Sequence, residues 1–212
     1  MQNRRIENIG IIHELMTTPL NAAEQDRVIA NTIELTLDNL SLAWHVAGLL
    51  IEYSSASLPP PQATVSLGSV HIPGKNCGFF TTPVIQMAIL DCRKTLEFFG
   101  LTCESKSHAI VPLDKRRKDD LGIEHFGLPW ATKTQLIGQS SAMIPVPLEM
   151  QLAKVHHWSN KQLAHFTLSD PKIKLDAIRD VCKAMIDAYQ RLLFDALGRP
   201  RPRIQPVNSQ IP

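Results

Sequence analysis

The chain has 212 residues, with 22 Lys and Arg against 20 Asp and Glu, a net charge of +2, and 44% of its residues are hydrophobic. An intrinsically disordered chain, poor in apolar residues and strongly charged, is excluded, and so is a histone-like protein that coats DNA broadly. One domain over 1–198 with a sizeable core is expected, followed by an extended or disordered tail over 199–212.

Proline marks the joints, because a helix interior excludes it at roughly 3 kcal/mol. The 15 prolines leave long free windows at 20–58, 84–111, 148–170 and 172–199, and each window carries a helical pattern. The first predicted helix opens near Asn21, with Glu24 placed to complete a capping box. Ile29, Ile33, Leu37, Leu40, Trp44, Ala47 and Ile51 then form one apolar row, and Leu35, Leu42, Val46, Leu49 and Tyr53 a second. A helix apolar on two sides is expected at the centre of the fold. Residues 54–80 follow as an insertion: a Ser-rich stretch, Pro59-Pro60-Pro61, and an alternation at Val65, Leu67, Val70 and Ile72 that suits a short β-hairpin.

The second helix is predicted to start at Thr81-Thr82-Pro83 and to end at Gly100, a natural left-handed terminator. A second irregular insertion, 101–147, holds the run Asp114-Lys115-Arg116-Arg117-Lys118-Asp119-Asp120. Its Gly122–Trp130 stretch suits a short helix, with Trp130 anchoring the insertion on the core. The third helix follows Pro147 and runs to about Leu168, where Ser169-Asp170-Pro171 stops it and caps the next. The fourth buries Ile178, Cys182, Met185, Tyr189 and Leu193 on one face and ends at Gly198-Arg199-Pro200. The expected fold class is all-α, a four-helix up-and-down bundle with two long irregular insertions.

Four scattered cysteines form no metal pattern and read as reduced thiols, two of them (Cys92 and Cys182) on apolar helix positions. The longest uncharged apolar segment, Asn39–Ile51, is shorter than the roughly 20 residues of a membrane-spanning helix, so a cytoplasmic protein with no membrane partner is expected. The row Glu34, Asp38, His45 reads as a solvated stripe, since bundle metal sites pair Glu-x-x-His motifs that are missing here. Gly68–Asn76 departs from a phosphate loop in length and in its last residue. No cofactor or metal is expected.

The third helix concentrates chemistry. His156, His157 and His165 stand with Asn160 and Lys161 in one short stretch, and His157, Lys161 and His165 share a face at i, i+4 and i+8. The segment Ser159-Asn160-Lys161-Gln162-Leu163-Ala164-His165 resembles the motif of the HEPN superfamily, whose members often read R-N-K-x-x-A-H before a last long amphipathic helix. The match covers Asn160, His165 and the helix order, and Ser159 stands where the family has arginine. The resemblance implies a usually dimeric four-helix bundle that binds RNA or cleaves it without metal, often in prokaryotic defence or toxin–antitoxin systems.

In that implied chemistry His165 moves the proton, Asn160 bonds a phosphate or ribose, and Lys161 supplies positive charge beside the phosphorane. His157, Arg116 and Arg117 are the expected RNA contacts, with Arg116 and Arg117 drawn from a run whose local sum is only +1. RNA, a second copy of the chain and a protein partner are the expected associates. The rival reading is a non-catalytic helical module that serves assembly; the missing arginine favours it.

Overall fold

The computed structural model describes residues 18–56, 62–67, 69–104, 107–117, 119–137, 147–159 and 174–202. The chain is mostly helical, with two small two-stranded sheets. Helix α1 begins at Ala22–Val28, widens into a π turn at Ile29–Ile33 and continues through Glu34–Ser55. Its start is the expected one: the Asn21 side chain accepts from the Glu24 amide, and the Glu24 carboxylate accepts from the Asn21 amide, both at 3.0 Å. Strands β1 (Gln62–Leu67) and β2 (Val70–Asn76) form the expected antiparallel hairpin.

Helix α2 spans Gly78–Phe98, and here the prediction is corrected. The helix starts at Gly78, before Thr81, because Cys77 is already helical and its carbonyl accepts from Phe80 and Thr81 at 2.9 Å each. Pro83 therefore sits inside the helix, at the loss of one backbone bond, rather than at its first position. The far end is as expected, with Gly100 left-handed at φ +80.

The second insertion is more ordered than the sequence suggests. It opens with a ribbon, β3 (Leu101–Cys103) against β4 (Ile110–Pro112), passes through a 3-10 turn at Ile123–Phe126, and reaches a short helix α3 (Lys133–Ile137). Helix α4 (Leu148–Trp158) starts directly after Pro147, and α5 (Leu175–Tyr189) ends in a second π turn, Gln190–Phe194. Helix α5 begins later than the Asp170-Pro171 cap predicts, since Lys174 is extended and its carbonyl accepts the first helical bonds. The predicted end of the third helix and the cap itself lie outside the described residues.

The core forms where four helices meet. The long part of α1 packs on α2 and α5, and α4 packs on the same two. Leu37 and Leu40 of α1, Leu96 of α2 and Phe99 just after it, Leu152 of α4 and Met185 of α5 are essentially inaccessible. Removing a leucine-sized side chain from such a site typically costs about 2–5 kcal/mol. The second apolar row of α1 is less buried than expected: Leu42, Val46, Leu49 and Tyr53 are half-buried, and Leu35 is 60% exposed. The second insertion joins the core through Ile110, Ile123, Phe126 and Leu136. Phe98 meets Phe126 edge-on at 5.9 Å and Tyr189 at 5.5 Å, which ties α2, the insertion and α5 together.

Trp130 anchors the insertion as expected. It packs partly buried against the core and covers Gly100, where a Cβ would lie 2.5 Å from the indole. The cysteines are free, and Cys77, Cys92 and Cys182 are buried. A hydrogen bond to Cys182, then burial, holds the Cys92 thiol well above its ordinary value, while burial pushes Cys103 up to about 12. Such thiols stay protonated and unreactive at neutral pH.

Candidate nucleic-acid interface

Arg116 is the hinge of the candidate site, though not in the expected way. The sequence places it as an RNA contact; the structure turns it inward, with its side chain 5% exposed. Its Nε meets the Glu124 carboxylate at 2.5 Å, and its Nη2 donates to the carbonyls of Glu97 (2.6 Å) and Phe98 (3.2 Å). The guanidinium also donates to the Leu121 carbonyl and lies 5.7 Å from the Trp130 ring centre. Glu97 and Phe98 close α2, so a cation there adds a donor to the carbonyls at the helix end, where that of Glu97 also accepts from the Gly100 amide at 3.0 Å, and complements the helix dipole. A planar fork with several donors suits this position, and lysine would not replace it.

By holding its loop on the end of α2, Arg116 creates a cleft of about 370 Å³. Arg93 and Lys94 approach from α2, and Lys115, Arg116 and Arg117 from the insertion; only Glu97 and Asp120 oppose them among the lining residues. Arg93 pairs with Glu97 at 2.9 Å, and Lys94 with the buried Asp91 at 3.1 Å. Lys115 and Arg117 are exposed and form no ion pair with a described residue. Leu113 and Leu121, both half-buried, give the lining its accessible apolar side chains, and Ile33, Phe98 and Tyr189 are buried behind it. Burial holds the Tyr189 hydroxyl above its ordinary value, so it stays neutral.

Both π turns lie beside this cleft. Ile29–Ile33 supplies Thr32 and Ile33 to its wall, and Tyr189 immediately precedes Gln190–Phe194. Widened turns of this kind are rare, and they gather at functional sites.

The histidine-rich helix lies to one side. His156 is buried, and burial first, then Arg93, lowers its pKa to about 4. It is therefore neutral at physiological pH and cannot act there as a cationic acid. Arg93 thus acts on His156 while also lining the cleft. His157, expected to touch RNA, instead meets His108 edge-on at 5.2 Å and is not part of the cleft lining. His108 sits in the β3–β4 turn at φ +54, a left-handed conformation uncommon for a side-chain-bearing residue. Ser159 is fully buried, and its hydroxyl donates to the His156 carbonyl at 2.7 Å. Asn160, Lys161 and His165 lie outside the described residues.

Of the expected RNA contacts, only Arg117 is presented to solvent in the cleft. Sequence reasoning did not connect it with Arg93, Lys94, Thr32, Thr36 and Tyr189. The run at 114–120 was a visible signal; its partners come from distant helices and carry none. The row Glu34, Asp38, His45 behaves as a surface stripe, with Asp38 exposed and the other two half-buried. Among the described residues no three His, Cys, Asp or Glu side chains gather to hold a metal, and no helix is long and apolar enough to cross a membrane. No protein-family model, curated protein or solved structure matches the chain.

Proposed function

We propose that the protein binds RNA, with the cleft between α1, α2 and the 113–121 loop receiving the phosphate backbone. The observation that carries this reading is the convergence of Arg93, Lys94, Lys115 and Arg117 on one concave surface of a nearly neutral chain. Arg93 and Lys94 are paired with Glu97 and Asp91, whereas Lys115 and Arg117 form no ion pair with a described residue and are open to a phosphate. Phosphate neutralisation with counterion release supplies the affinity and makes it fall steeply with salt.

The wider reading follows the sequence resemblance: a HEPN-like four-helix up-and-down bundle, cytoplasmic and homodimeric, in a prokaryotic defence or toxin–antitoxin setting. Its core of four helices is compatible with that architecture. In such a protein His165 would exchange a proton with the ribose 2′-OH or the leaving oxygen, while Asn160 and Lys161 hold the phosphate.

One observation favours a second reading, a non-catalytic scaffold. Ser159, at the place of the motif arginine, is buried and bonded to its own helix, so this position offers no cation to a phosphorane. The test is incubation of mixed cellular RNA with the protein in EDTA, wild type beside His165→Ala. Cleavage by wild type alone establishes a metal-independent ribonuclease. Salt-sensitive binding without cleavage establishes the scaffold. Absence of both sinks the RNA reading.

A further inference from the structure

The cleft is lined by both cations and apolar side chains, and together they suit a more specific ligand than a phosphate backbone. Lys115 and Arg117 in its lining are exposed, while the half-buried Leu113 and Leu121 add apolar surface in front of the buried Ile33 and Phe98. A site for bare phosphate needs donors alone and gains nothing from apolar surface. A volume of about 370 Å³ lies at the small end of ligand pockets and has room for one flat ring and its sugar. Thr32 and Thr36 add two hydroxyls to the wall, each able to donate and to accept.

Resting on the RNA reading above, we infer that the cleft accepts one unpaired nucleotide of an RNA strand, its phosphate at Lys115 and Arg117 and its base against Leu113 and Leu121. Paired bases are stacked inside a duplex and cannot enter, whereas bases of a single strand splay outward. The site thereby selects single strands over duplexes, which a purely cationic surface does not do.

The experiment measures fluorescence anisotropy of a short labelled RNA of mixed sequence, alone and annealed to its complement. Wild type is compared with Lys115→Glu/Arg117→Glu and with Thr32→Trp. Thr32 is exposed, so a bulky ring there fills the cleft without changing charge; circular dichroism and Tm verify that each variant is folded.

Wild type is expected to prefer the single strand by at least about tenfold. Thr32→Trp should abolish that preference and leave equal, weak binding to both forms; the double charge reversal should abolish both. Uridine monophosphate should displace the strand at lower concentration than inorganic phosphate. Equal binding of strand and duplex by wild type, lost on charge reversal, would overturn the inference and leave RNA binding standing. Preference retained in Thr32→Trp, or equal displacement by phosphate, would overturn it too. No binding of either RNA by wild type would instead sink the RNA reading itself.

Discussion

The β1–β2 ribbon and the segment from Leu101 to Ile137 both connect long helices, yet they are built on opposite principles. The ribbon's strands pair with each other, and β2 lies against α2. The second segment sends Ile110, Ile123, Phe126 and Leu136 into the common core and stitches itself to the end of α2. Leu113 donates to the Gly100 carbonyl, Ala131 donates to that of Phe99, and Arg116 takes those of Glu97 and Phe98. What makes a long connection part of the fold is therefore not its length or its turn residues. It is the apolar side chains it can bury, together with a group that satisfies an open helix end.

That contrast can be broken most directly at Arg116. Arg116→Ala leaves the Glu124 carboxylate unpaired at a nearly buried site and uncovers the last carbonyls of α2, so a loss of about 3–5 kcal/mol is expected in urea unfolding. Pairing Arg116→Leu with Glu124→Leu should recover part of that loss, because two charges are then removed together. A stability equal to wild type in Arg116→Ala would show that the segment is held by packing alone.

A smaller effect separates core from ribbon by pH. His156 has a folded pKa of about 4 against an ordinary 6.5. Between those values the unfolded chain takes up a proton that the folded chain refuses. The contribution of neutral His156 is thus whole above about pH 6.5 and is lost as the pH falls towards 4, on the order of 2–3 kcal/mol. Urea unfolding across that range should show the loss in wild type and much less of it in His156→Leu. A chain without the ribbon should retain the full acid sensitivity, since His156 belongs to the core.

The smallest effect is expected from the ribbon. Replacing 57–76 by a short Gly-Ser linker should change stability by less than about 1 kcal/mol, as loop closure depends only weakly on length. A cooperative loss of α2 on this deletion, read by circular dichroism, would mean that the ribbon is as integral as the second segment.

Much of the helical frame was legible in the residue order. The capping box at Asn21 and Glu24, the start after Pro147, the stop at Gly100 and the hairpin after Pro61 all rest on contacts within a few residues, whereas the last helix stops at Phe194, before the left-handed Gly198 expected to end it. The misplaced start of α2 has a local cause as well: Pro83 is an acceptable first residue, and only the chain entering through Cys77 carries the helix further back. Arg116 shows a different failure. A cation in a run of charges reads as solvated, and nothing nearby in sequence reveals that Glu97, Phe98 and Glu124 will surround it.

The sequence by itself determined the mostly helical class, the order of the helices and the presence of two insertions, because helix propensity, capping and proline act over three or four residues. Only the tertiary structure decided that the second insertion is core and that Arg116 is structural while Arg117 is exposed. It alone brought Arg93 and Lys94 into one cleft lining with Lys115 and Arg117. Burial and electrostatic convergence depend on which distant surfaces meet, and that is settled by the packing of the whole chain.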